Sequence, residues 1–234
     1  MDEADRTGVM VITTATSAGL GFVLGGPGGA AIGAVVPEIV RELTDMRVTN
    51  MKITLDRACN VSGVSARELI SWVRADTAHA ELVTAAVEAA CETLDPDRLR
   101  VLGYVLAGGL ANDAKIDNSR LLIDALRHLQ PAHVSVLMTL TEAPSPRKSE
   151  VRTGQWSMTE LAEFHPNLAD AMDSIMATLQ RLGCTVVAPN FHLVRPGRAD
   201  VENETMWLAT RFGRHCLDVI RQGMIDVNLA AEKF

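Results

Sequence analysis

The sequence predicts a mainly α protein, a helical bundle that opens with a glycine-rich segment and closes with a mixed third of helices and strands. Three observations support this fold class. Alanine and leucine dominate while aromatic residues make up only 4% of the chain, a balance that favours helix over strand. Between the glycine-rich segment and residue 184 the sequence shows helical periodicity and no strand pattern. Near the start, glycines recur at every fourth residue.

The composition limits the classes of function. The net charge is −7, so bulk attraction to nucleic acid is not expected and any basic patch has to be local. The four cysteines are widely spaced, without a C-x-x-C pair, which suits free thiols in a reducing cytoplasm. The acidic start, MDEADR, lacks the positive charge of a secretory signal. We therefore expect a cytoplasmic protein with a glycine-rich segment (1–46), a helical domain (47–118) and a final domain (119–234).

A ridge of glycines is the strongest local pattern. The glycine ridge consists of Gly21, Gly25, Gly29 and Gly33. Residues four apart lie on one face of a helix, and each glycine costs a helix about 1 kcal/mol relative to alanine, so a close neighbour has to compensate. The spacing predicts a glycine zipper, a surface for helix packing and oligomerisation. Pro27 is expected to divide it into two short helices, at roughly 9–25 and 30–46. A homo-oligomer follows from this prediction.

Two other interpretations of the same stretch remain open. Residues 7–37 carry no charge, which is long enough to span a bilayer, although glycine, threonine and serine make the run only mildly apolar. Association with the inner membrane, peripheral or integral, is therefore one alternative, and a flexible linker is another. A phosphate-binding loop is not expected, because "TTATSAGLG" has alanines where the dinucleotide fingerprint needs glycines and no G-K-S or G-K-T is present.

The middle of the chain is predicted to be a series of amphipathic helices. "SARELISWV" begins with a capping box, Ser65 with Glu68, and "AELVTAAVEAACETL" ends at "DPD". "ACNVSGVSARELISW" loosely resembles a helix-turn-helix, but its turn is too long and its second helix has little positive charge, so we do not expect it to read DNA. His79 is predicted to form a surface pair with Glu81, because "HAE" lacks the P-C-x-x-C of a zinc deaminase.

The last third of the sequence changes character. "SRLLIDALRHLQPAHVSVLMTLTEAP" predicts two helices broken at Pro131, and "SMTELAEFHP" predicts a short helix that begins with a capping box, Ser157 with Glu160. A longer helix is expected at Asn167–Leu182, capped by Asn167 and stopped by Gly183. Two strand-like runs, "CTVVAP" and "ETMWLAT", flank a turn-rich loop, and "TRFGRHCLDVIRQ" closes the chain as a helix. This order is typical of a winged-helix domain.

A winged helix that reads bases needs hydrogen-bond donors at the start of its recognition helix. Asp170 and Asp173 occupy that position here, and Arg181 lies at the far end. DNA is therefore not the expected partner, although phosphate contacts are left open. The side chains available for such contacts are Arg147, Lys148, Arg152, Arg195 and Arg198. A winged-helix transcriptional regulator is kept as the alternative function.

No complete catalytic, metal-binding or cofactor-binding motif occurs in the sequence, and we expect no enzyme and no cofactor. His215 and Cys216 are adjacent, but adjacent side chains on a helix point about 100° apart. We therefore predict that one of them lies in the core and the other at its rim, rather than together in a metal or nucleophile site.

Three stretches carry a family resemblance, namely "LIDALRHLQPAHVSVLMTL", "MATLQRLGCTVV" and "LATRFGRHCLDVI". Behind a glycine-rich start and a helical middle, they resemble uncharacterised actinobacterial and phage-borne helical proteins and, more distantly, abortive-infection alpha-type proteins. The resemblance implies defence against phage, with a phage or host protein as partner, and implies no catalytic residues. The expected function is a non-enzymatic helical protein that self-assembles, or associates with membrane, through its glycine zipper.

Overall fold

The computed structural model describes residues 29–141, 155–188 and 205–231. The α-helices of these ranges are α1 (Gly29–Ser62), α2 (Ala66–Ala75), α3 (Thr77–Glu92), α4 (Pro96–Leu110), α5 (Ile116–His128), α6 (Pro131–Thr141), α7 (Met158–Phe164), α8 (Met172–Arg181) and α9 (Arg211–Ala231). Short 3-10 helices occupy Asp113–Lys115 and Pro166–Ala171. The strands are β1 (Trp156–Ser157), β2 (Thr185–Val187) and β3 (Met206–Ala209). The prediction of a mainly α helical bundle is confirmed.

Local sequence signals explain where several helices begin. The Ser65 side chain accepts a hydrogen bond from Glu68 N, and the Glu68 carboxylate accepts one from Ser65 N at 2.8 Å. Ser157 and Glu160 make the same reciprocal pair at the start of α7. Both predicted capping boxes are therefore present, and each satisfies backbone N–H groups that the first turn of a helix leaves without acceptors.

The chain divides into two compact units, Met1–Lys52 and Ile53–Phe234. In the first unit, the described residues belong to α1, which contains Gly29 and Gly33, whereas Gly21 and Gly25 lie outside the described residues. The helix expected at 30–46 continues without a break to Ser62, through Pro37. A proline removes one backbone hydrogen bond, and a helix of 34 residues retains many others. None of the helices in the described ranges combines the length and apolar character that crossing a bilayer requires.

The core of the second unit is built around α4, which α3, α5 and α9 all contact. The fully buried side chains here are mostly leucines, among them Leu82, Leu102, Leu106 and Leu137. Helix α9 approaches α4 closely at Gly223, where an added Cβ would lie 3.0 Å from the Cα of Val101. The second unit therefore has a conventional close-packed aliphatic core, consistent with the low aromatic content.

The three strands form one antiparallel sheet in the order β1-β3-β2. Thr185 pairs with Ala209 and Val187 with Trp207, while Trp207 also pairs with Trp156 of β1 on its other side. Strand β1 was not expected from the sequence. It is only two residues long, too short to show alternation, and it runs directly into α7.

The helix expected at Asn167–Leu182 begins later than predicted. A 3-10 helix occupies Pro166–Ala171, α8 starts at Met172, and its N-cap position is Ala171 without a side-chain cap. Pro166 fits the first position of a tight turn, since its φ is preset and its missing N–H is not needed there. The predicted stop is correct: Gly183 has φ +71° and donates to Gln180 O at 2.9 Å.

Candidate nucleic-acid interface

Helix α8 is held by its apolar face and presents a polar one. Its buried side chains are Met172, Ile175, Met176 and Leu179. The exposed face begins with Asp173 and Ser174 and ends with Gln180 and Arg181, and Asp170 is exposed in the 3-10 helix just before it. Carboxylates at this end repel phosphate and accept rather than donate hydrogen bonds. This face is therefore poorly suited to reading the edges of guanine or adenine.

The five side chains predicted to contact phosphate lie outside the described residues. Arg147, Lys148 and Arg152 fall in 142–154, and Arg195 and Arg198 fall in 189–204. The ends of the second segment are nevertheless fixed, because Ala188 N donates to Met206 O at 2.8 Å across the β2–β3 pair. Residues 189–204 connect β2 to β3 along the chain.

A cleft of about 640 Å³ opens beside the first turns of α9. This basic cleft is lined by Asn118, Arg211, Phe212, Arg214, His215 and Asp218. Arg211, Arg214 and His215 are exposed and share one helix face at i, i+3 and i+4. Arg214 is oriented by a hydrogen bond from its Nη2 to Ala209 O at 3.0 Å. Two guanidinium groups beside an imidazole make a site for anionic oxygens, partly offset by Asp218.

The sequence contained the signal for the basic cleft. "TRFGRH" places the three basic residues at helical spacing, a signal separate from the adjacent pair His215 and Cys216. For that pair the prediction is confirmed: Cys216 is fully buried and His215 is exposed. What the sequence does not indicate is that Asn118, at the start of α5, lies across the cleft from α9.

The loose helix-turn-helix resemblance corresponds to a real turn between α1 and α2. Gly63 has φ +72°, a conformation that glycine adopts without strain. The two carboxylates at the ends of α2 are both engaged, Glu68 with Ser65 and Asp76 with His79. A second, shallow cleft of about 410 Å³ follows the exposed face of α2 and is lined by Arg67, Ile70, Ser71, Arg74 and Ala75.

His79 is buried and contacts two aspartates, so the predicted surface pair with Glu81 is wrong. Its Nδ1 lies 2.5 Å from Asp76 Oδ2 and its Nε2 lies 3.6 Å from Asp113 Oδ1. Glu81 instead pairs with Arg120, at 2.6 Å. The hydrogen bond from His79, followed by that from Ala78 N, holds the pKa of Asp76 below its usual value. No group of three or more His, Cys, Asp or Glu side chains in the described ranges is placed to hold a metal ion.

Comparison with known proteins gives one similarity. No family model matches the chain, and no solved structure matches it. Among curated proteins, the chain is similar to the heat-inducible transcription repressor HrcA of Corynebacterium aurimucosum, with 22% identity over 189 residues. The similarity covers 76% of this chain and 54% of that repressor, so the chain spans about half the length of its relative.

Proposed function

We propose that the chain is a DNA-binding transcriptional regulator whose C-terminal third is a winged helix. The observation that carries the proposal is the order α6, β1, α7, α8, β2, β3 together with the sheet order β1-β3-β2. In that order α7 and α8 correspond to the helix-turn-helix pair, and the segment between β2 and β3 has the place in the chain that a wing takes. The similarity to a transcription repressor supports the same function.

The packing supports an outward-facing α8. Ser157 ends β1 and at the same time caps α7, so the pairing of β1 with β3 fixes where α7 begins. Leu161 of α7 is fully buried, as are Met176 and Leu179 of α8. At its other end, α8 is followed directly by β2 through Gly183. The two helices are thus fixed at both ends by the sheet, which leaves the polar face of α8 for a partner.

The distribution of charge favours contacts to phosphates over contacts to bases. Asp170 and Asp173 disfavour base reading at the start of α8, whereas basic side chains line the basic cleft and others lie in the sequence at 147–152 and 195–198. Phosphate contacts position a protein on DNA but carry no sequence information. We therefore expect duplex binding that depends steeply on salt and weakly on sequence.

Fluorescence anisotropy with a random-sequence duplex at low salt tests the proposal. Binding is expected there, with log K falling linearly against log salt by about 0.9 per phosphate contacted. The double variants Arg195→Ala/Arg198→Ala and Arg211→Ala/Arg214→Ala should each weaken binding across all sequences and reduce that slope. Arg100→Ala, on the exposed side of α4, is the matched control. Absence of binding at low salt would overturn the proposal that the chain is a DNA-binding regulator.

A second candidate, self-assembly through the glycine ridge, is favoured by the exposure of α1. Val40, Leu43 and Val48 are 36%, 44% and 53% exposed. Exposing apolar side chains to water is unfavourable, and burying them against another copy of the chain would remove that cost. Gly25→Leu and Gly29→Leu should reduce oligomer size in light scattering, with and without detergent, while Phe22→Leu should not. If both glycine variants assemble like the wild type, this candidate is lost.

Phage defence rests on the family resemblance, and protection of phage-challenged cells is its test. Membrane association rests on the uncharged run of residues 7–37.

A further inference from the structure

The backbone of Cys184 is held in place by three elements. Its N–H donates to Leu179 O at 2.9 Å, which closes the end of α8. Its carbonyl oxygen accepts from Thr210 N at 2.9 Å and from Thr210 Oγ1 at 3.2 Å. Thr210 in turn accepts a hydrogen bond from Gly213 N, at the start of α9. Cys184 is therefore fixed between α8, β3 and α9.

Helix α9 makes backbone contact with Cys184. A Cβ added to Gly213 would overlap the Cys184 carbonyl oxygen and lie 3.0 Å from its Cα, so only glycine allows this approach. Cys216 follows Gly213 by three residues, close to one helical turn, and thus lies on the same face of α9. The close approach at Gly213 brings the Cys216 side chain over Cys184.

Both cysteine side chains lie in the protein interior, at 0% exposure. The contact of Gly213 with the Cys184 backbone, and the position of Cys216 about one turn further along α9, bring the two thiols within reach of each other. Their interaction lowers the pKa of Cys184 despite its burial, and together with burial it raises the pKa of Cys216. The lower pKa favours Cys184 as the nucleophile.

We propose that Cys184 and Cys216 are a redox-active pair that a peroxide converts into a disulfide. The Cys184 thiolate attacks one peroxide oxygen, the O–O bond breaks, and the released hydroxide takes up the proton that Cys184 had lost, giving water and a sulfenic acid. The Cys216 sulfur then attacks the Cys184 sulfur, and the hydroxyl group leaves with the Cys216 proton as a second water. Two thiols and one hydrogen peroxide give one disulfide and two waters. Burial makes the reaction depend on local opening near the start of α9.

The other two cysteines provide the internal comparison. Cys59 is only partly buried, but burial and the neighbouring Asp56 raise its pKa, which lowers its reactive thiolate fraction. Cys91 is also only partly buried. If exposure alone governed oxidation, Cys59 and Cys91 would react before the fully buried pair. The proposed order is the reverse.

The test uses the full-length reduced chain, treated with hydrogen peroxide under native conditions, then unfolded and alkylated. We expect alkylation to fall from four cysteines to two, with a tryptic peptide that begins at Leu182 linked to one that begins at His215, and reversal by dithiothreitol. Cys59→Ser/Cys91→Ser should leave the linkage unchanged, while Cys216→Ser should abolish it and leave Cys184 as a sulfenic acid that dimedone traps.

The wild-type mapping decides the matter even if Cys216→Ser fails to fold. If all four cysteines remain alkylatable after peroxide treatment, or if Cys59 or Cys91 carries the linkage or the oxidation, the pair is structural and the proposal is overturned. The readout is chemical and needs no DNA, so its failure is independent of whether the chain binds a duplex.

Discussion

Trp156 and Trp207 lie directly opposite each other on strands β1 and β3. Both indole Nε1 atoms are buried, and neither has a hydrogen-bond partner within the described ranges. The Trp156 ring also meets Phe164 edge-on, with 5.7 Å between ring centroids. Trp156 therefore contributes by ring packing against Phe164 and not by a hydrogen bond of its indole nitrogen.

This relationship predicts how substitutions at Trp156 behave. Trp156→Phe keeps an aromatic ring and loses no hydrogen bond, so the free energy of unfolding should fall by less than about 1 kcal/mol. Trp156→Ala removes the ring from a partly buried site and should cost about 2 kcal/mol or more. Urea titration followed by circular dichroism measures both. Equal losses in the two variants would show that the indole nitrogen, and not the ring, matters.

Gly213 and Gly108 should respond to alanine in opposite directions. In Gly213→Ala the new methyl group collides with the Cys184 backbone, which cannot move aside as a side chain can, so we expect a loss of at least about 2 kcal/mol. In Gly108→Ala the methyl group meets nothing within 4 Å, and the helix gains up to about 1 kcal/mol. Thermal unfolding of both variants checks this. A Gly213→Ala protein as stable as the wild type would contradict the close contact.

Two histidines should make the fold sensitive to mild acid. Burial, assisted by Arg98, lowers the pKa of His133, and burial lowers the pKa of His165. Their neutral forms are engaged, since His133 Nδ1 accepts from Gln130 N and His165 Nε2 lies 2.8 Å from Thr139 Oγ1. Their contribution to the free energy of unfolding is fully present above the pKa of histidine in the unfolded chain, about 6.5. It is lost as pH falls below that value, because the unfolded chain then binds protons more readily than the folded one.

The melting temperature should therefore decrease between about pH 7 and about pH 5.5. The double variant His133→Gln/His165→Gln should show a smaller decrease over the same range. His128→Gln, at a partly exposed position near the end of α5, is the control and should retain the wild-type pH profile. If the double variant follows the wild type, the acid sensitivity arises from other groups.

The Asp76–His79 pair predicts a separate effect at lower pH. The pKa of Asp76 in the folded protein is lowered, chiefly by its hydrogen bond from His79. Its contribution to the free energy of unfolding is therefore present above the pKa of aspartate in the unfolded chain, about 3.9, and is lost as pH falls through the pKa of the folded state. Asp76→Asn should lower the melting temperature at neutral pH and flatten the acid limb of the stability curve. Asp97→Asn, in a solvent-exposed pair with Arg100, should change that limb much less.

Local features of the fold could be predicted from the sequence, whereas features that depend on distant partners could not. The capping boxes at Ser65 and Ser157 and the stop at Gly183 depend on residues within one turn, and all three are confirmed. Strand β1 exists because Trp207 pairs with it, and a run of two residues contains no period. The late start of α8 reflects a 3-10 turn at Pro166, a choice between two helical geometries that apolar spacing does not distinguish.

The same distinction applies to the candidate sites. The spacing of Arg211, Arg214 and His215 was available in the sequence, since one helix places them on one face. The contact between Cys184 and Cys216 was not, because it requires Gly213 to pack against a carbonyl that precedes it by many residues. His79 illustrates the converse error, since its nearest acidic neighbour in a motif, Glu81, is not its partner in the fold.

The sheet order β1-β3-β2 has a consequence for the order of folding. Helices α3, α4 and α5 contact neighbours in the chain, so they can assemble while the ribosome is still adding residues. The sheet cannot, because its central strand is also its last, and Trp156 must wait about 50 residues for Trp207. We expect a nascent chain released before β3 to hold α3, α4 and α5 packed together without α9, and an unpaired β1. The sheet is completed only after β3 has been synthesised.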